Sequence, residues 1–78
     1  MVRLISVKPV ANGWSVQSDG VDGDMMFLSG AKAEAAARAL ANKLAGSGEP
    51  SEIRIYLRDG ALAGRFNVNA KIGALTAA

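Results

Sequence analysis

Residues 29–46 read SGAKAEAAARALANKLAG, and the reading of this stretch decides how the rest of the chain is organised. From Ala31 to Ala45 there is no proline, glycine or β-branched residue, and alanine, leucine, lysine, arginine and glutamate all favour helix. At about 100° per residue, Ala33, Ala36, Ala37, Leu40, Ala41 and Leu44 fall on one side, with Glu34, Arg38 and Asn42 opposite. Lys32 and Lys43 take one flank. The pattern predicts an amphipathic helix whose methyl-lined side lies close against an apolar sheet. Ser29 is placed to cap it, and Leu28 to pack on Ala33 as a hydrophobic staple. Lys32 stands where a capping box would have Glu or Gln. Glu34 and Arg38 are spaced for an i, i+4 ion pair. Gly46 is expected to stop the helix, and Ser47-Gly48-Glu49-Pro50 to lead away from it.

On either side the period changes to that of strands. Val2 to Lys8 and Trp14 to Ser18 read as a first hairpin closed by Asn12-Gly13, with Pro9 implying an irregular or edge position. With that turn, Ile5, Val7, Ala11, Trp14 and Val16 share the inward face, and Val2, Leu4, Ser6, Lys8, Ser15 and Gln17 line the other. Trp14 reads as a lid on the core rather than as a binding residue. Met25 to Leu28 is a brief apolar strand entering the helix. Glu52 to Arg58 alternates, with Ile53, Ile55 and Leu57 on one face and Arg54, Tyr56 and Arg58 on the other. Asp59-Gly60 predicts a second two-residue turn, which sets Leu57 opposite Leu62, Ile55 opposite Gly64 and Ile53 opposite Phe66. Gly64 would then leave room for the helix. The fold expected is α+β in two layers. An antiparallel sheet of two hairpins, ββ(β)αββ, carries one helix on one face within a single domain over residues 1–68. Residues 69–78 read as a frayed tail.

Several of these segments resemble, in order and spacing, a family of small bacterial proteins known as domain of unknown function family 2188. They are Gly13-Trp14-Ser15-Val16, the aromatic Phe27, Lys32-Ala33-Glu34-Ala35, Leu40-Ala41 and Arg58-Asp59-Gly60. The resemblance covers roughly residues 2–68 and implies the same fold. It brings no activity and no site. Tyr56 stands in a region where such proteins often carry histidine, and the stretch after Gly60 is longer and more apolar than the family's pattern.

The 78 residues make one small core, half of them hydrophobic but many only alanine, so self-association is an expectation from size alone. With no histidine and no cysteine, the chain lacks the commonest general base, the commonest metal ligand and any thiolate chemistry. Lys8 and Pro9 interrupt the first apolar run, which argues against a signal peptide, and no stretch has the length of a membrane span. The expected location is the cytoplasm.

Three motifs invite chemistry and none sustains it. Asp19, Asp22 and Asp24 offer oxygens to calcium, but the twelfth residue counted from Asp19 is Gly30 and from Asp22 is Ala33, where an EF-hand needs glutamate. A solvated loop is the better reading. Ser29-Gly30-Ala31-Lys32 matches Ser-x-x-Lys, yet a capping serine beside a surface lysine accounts for both residues. Neither phosphate-cradling glycine pattern occurs, and no two carboxylates are brought together in an apolar setting. The chain therefore reads as a non-enzyme without cofactor or metal.

What remains is the outer face of the sheet. Val2, Leu4, Tyr56, Ala61 and Ala63 are expected there among Arg54, Arg58 and Arg65, with Arg54 directly facing Arg65. Like charges across a sheet are destabilising unless something neutralises them, and Glu52 and Asn67 on the same face supply one answer. Two functions follow as expectations. One is an interaction module that forms a homodimer or binds a protein partner through this face, or along a sheet edge. The alternative to this leading expectation is a nucleic-acid-binding module using Arg54, Tyr56, Arg58 and Arg65.

Overall fold

The computed structural model describes residues 2–20 and 23–70. Strand β1 (Arg3–Val10) turns into β2 (Gly13–Ser18), then comes the short β3 (Met25–Phe27). Helix α1 (Gly30–Gly46) leads to β4 (Ser51–Tyr56) and β5 (Leu62–Val68). All five strands form one sheet in the order β3-β2-β1-β4-β5, with α1 packed on one face. The expected α+β architecture of two hairpins and one helix is present. The sheet is mostly antiparallel, and the joint between its halves, β1 beside β4, is parallel. Helix α1 causes this. Its 17 residues return the chain by about 25 Å, so β4 begins at the end of the sheet where β1 began.

The core is the middle of two rows across the helix-facing side, whose end residues Met25 and Phe66 are exposed. Met25, Val16, Val7, Ile55 and Gly64 form one row, and Ser18, Ile5, Ile53 and Phe66 the next. Against them α1 lays Ala33, Ala37, Ala41 and Ala45, all fully buried, with Leu40 and Leu44 filling the sides. Trp14 packs partly buried at the edge of this core, its indole against Gly30.

Ser29 caps α1, its Oγ accepting the Lys32 N–H at 3.1 Å, and Arg38 pairs with Glu34 at 2.9 Å. Ser29→Ala should cost about 1 kcal/mol, since one helix-end donor loses its partner. Thermal unfolding reads that as a midpoint lower by roughly 4–8 °C for a chain of this size. An unchanged midpoint would deny the cap its contribution.

The helix ends differ from expectation in two places. Leu28 is 90% exposed and staples nothing. Phe27 takes the inward position opposite Trp14, so strand alternation turns Leu28 away. At the other end Gly46 remains helical, and the reversal comes at Gly48, whose φ of 84° is left-handed. The Gly48 N–H donates to Ala45 O and the Glu49 N–H to Leu44 O, which together form a Schellman cap.

Both turns also shift. The first is Ala11–Asn12, not Asn12-Gly13. Val10 pairs with Gly13 and Pro9 with Trp14, so Ala11 leaves the inward face. Glycine is needed one step later, where β2 passes the Phe27 carbonyl. Pro9 sits where β1 has outrun β4, whose pairing stops at Val7–Ile55, so its missing N–H breaks no ladder on that side. In the second hairpin Ile53–Phe66 and Ile55–Gly64 pair as expected, but Leu57 does not meet Leu62. A bulge between Ile55 and Tyr56 puts Leu62 opposite Tyr56 and leaves Leu57 in the turn, 51% exposed. The turn demands this. The Leu57 N–H donates to Ala61 O, and Asp59 Oδ1 accepts the Ala61 N–H. Beside Gly64 a Cβ would meet the Phe66 ring at 3.5 Å, not the helix, so it is that ring that uses the space. Asp22 and the tail from residue 71 lie outside the described residues.

Candidate functional site: the open sheet face

The face away from α1 is built by the parity that fills the core. Because Ile5, Val7, Ile53 and Ile55 point inward, Leu4, Ser6, Lys8, Glu52, Arg54 and Tyr56 point outward. One outer row runs Gln17, Ser6, Arg54, Arg65, and the next runs Leu4, Glu52, Asn67. Arg54 therefore faces Arg65 as the sequence predicts. Arg58 is exposed in the turn beyond β4, off the strand, yet it lines one hollow of about 340 Å³ with Lys8, Pro9, Tyr56, Leu57 and Gly60. Ala61 lies in the same turn rather than on the sheet.

Arg54 is not free. Its Nε donates to the Glu52 carboxylate, two residues along the same strand and the same face. That carboxylate first, and the Tyr56 hydroxyl second, raise the Arg54 pKa above its ordinary value, so the guanidinium stays charged throughout the accessible range. Arg65 has no ion pair among the described residues. Glu52 therefore answers one arginine of the facing pair and leaves the other uncompensated.

Lys8 points to this face, as the alternation of β1 predicts, but the sequence does not show that it meets Tyr56. Its Nζ lies 5.7 Å from the centre of the Tyr56 ring, a cation–π distance. The parallel β1–β4 pairing brings the two together, and no turn signal announces a pairing between strands so far apart in sequence. Four of the chain's nine Lys and Arg residues (Lys8, Arg54, Arg58, Arg65) thus gather at one end of this face around a single tyrosine.

Arg3, Asp19 and Glu49 serve the scaffold. Arg3 Nε donates to Glu49 at 3.1 Å and its Nη1 to the Asp19 carbonyl at 2.8 Å, while Asp19 Oδ2 accepts the Leu4 N–H. Asp19 is thereby fastened to the start of β1. Among the described residues no three acidic side chains converge on a metal-sized site. No helix of the described chain is long and apolar enough to cross a membrane.

No family model, no curated protein and no solved structure matches this chain.

Proposed function

We propose that this protein is a non-enzymatic interaction module whose open sheet face binds a polyanion, with a nucleic-acid strand as the partner class. The observation that carries the reading is the facing pair Arg54–Arg65 with Lys8 drawn against Tyr56, four cations in all counting Arg58, and one carboxylate between them. A row of phosphates supplies the counter-charge this end of the sheet lacks, and Tyr56 offers a ring for a base. A protein partner or second copy on the same face is the weaker reading, because it would have to desolvate those cations. The likeness to family 2188 adds no activity, so the reading rests on the face alone.

Fluorescence anisotropy with labelled single-stranded and duplex oligonucleotides tests it. If about four phosphates are contacted, the logarithm of affinity should fall with that of salt with a slope of about −3. Arg65→Ala should flatten the slope by about one unit. Glu52→Gln should tighten binding, because it frees Arg54 and removes the carboxylate paired with it. No binding at low salt, or indifference to both substitutions, would overturn the proposal.

A further inference from the structure

We infer that β5 pairs antiparallel with β5 of a second copy about a two-fold axis at Phe66. The sheet has two outer edges. The β3 edge is three residues long and gives way at once to the helix. The β5 edge is seven residues long, has no proline and carries one charge, Arg65. Its irregularity is confined to the start, at Leu62 and Ala63, so Gly64 to Val68 is a regular strand. Among the described residues nothing pairs with its outer side. Such an edge is a template for another strand, and a two-fold axis supplies this chain's own copy in antiparallel sense.

Charge rules out one register, and the midpoint of the regular stretch Gly64 to Val68, at Phe66, selects the one inferred. Centring the axis on Arg65 would oppose two guanidiniums, with Arg54 already facing each from β4. Centring it on Phe66 sets Arg65 opposite Asn67 of the second copy, and Gly64 opposite its Val68. The two Phe66 rings then meet on the helix side. There Phe66 is 39% exposed, with the Arg38 guanidinium, held by Glu34, 4.7 Å from the ring centre. A second ring would cover it further. The two open faces would also become continuous, with an Arg65 on each side of the axis.

The inference is independent of what the open face binds and is tested without any ligand. Sedimentation equilibrium of the unaltered chain should show a dimer forming across the micromolar range, and hydrogen exchange should slow at β5 amides as concentration rises. The chain has no cysteine, so single thiols are clean probes. On mild oxidation Phe66→Cys should give a disulfide-linked dimer. Met26→Cys on the other edge should react about a hundredfold more slowly, since pairing raises the local thiol concentration to about millimolar. A monomer at every concentration, or equal cross-linking at both edges, would overturn the inference.

Discussion

Gly13→Ala should be the most damaging small substitution in the chain. A Cβ built there would lie 2.3 Å from the Phe27 carbonyl oxygen, a backbone atom held in the β2–β3 pairing that cannot swing aside. The φ of 156° adds strain for a residue with a side chain. Relief requires moving β3, and with it Phe27 and the start of α1. We expect a loss of about 3 kcal/mol, in the upper part of the range for single substitutions. Domains of this size hold only about 4–12 kcal/mol in all, so urea unfolding should begin at much lower denaturant. Gly46→Ala is the control. Nothing lies within 4 Å of a Cβ there, and alanine in a helix is favoured over glycine by about 1 kcal/mol, so this variant should be slightly more stable. Equal melting of the two variants would contradict the placement of β3 against β2.

The second large effect lies in β4. Ile53→Ala should cost about 3 kcal/mol, because Ile53 is fully buried between Ile5 and Phe66 and beneath the alanine side of α1. Leu57→Ala should cost about 0.5 kcal/mol or less, since Leu57 is half exposed in the turn. Strict alternation gives these two residues the same role, and the bulge at Tyr56 separates them. Comparable losses from both would restore the unbulged hairpin and remove Leu62 from beside Tyr56.

The fold was legible where a local period is long and unbroken. Ala33, Ala37 and Ala41 announce a helix that can approach closely, and Ile53–Phe66 and Ile55–Gly64 follow from alternation and an Asp-Gly turn. The misreadings fall at ends and turns, where one residue's hydrogen bond outweighs the period. Gly48 takes the left-handed cap in place of Gly46. Gly13 serves a close approach to Phe27 instead of the tip of a turn, and Asp59 bonding to the Ala61 N–H draws Leu62 out of register. Of the candidate face, Arg54, Tyr56 and Arg65 were legible because they share one hairpin. Lys8 was legible as an outward residue of β1 but its neighbour was not, because only the long-range parallel pairing of β1 with β4 carries it to Tyr56. The Glu52–Arg54 pair sits two residues apart on one strand face, and alternation alone makes it visible.

The most direct test of the account is an amide and side-chain NMR titration of the labelled protein with an oligonucleotide at low salt. The account predicts perturbations gathered on Lys8, Glu52, Arg54, Tyr56, Arg58 and Arg65, fading as salt rises, with the exposed side of α1 silent. Signals unmoved at low salt, or moving on Glu34, Arg38 and Asn42 instead, would contradict it.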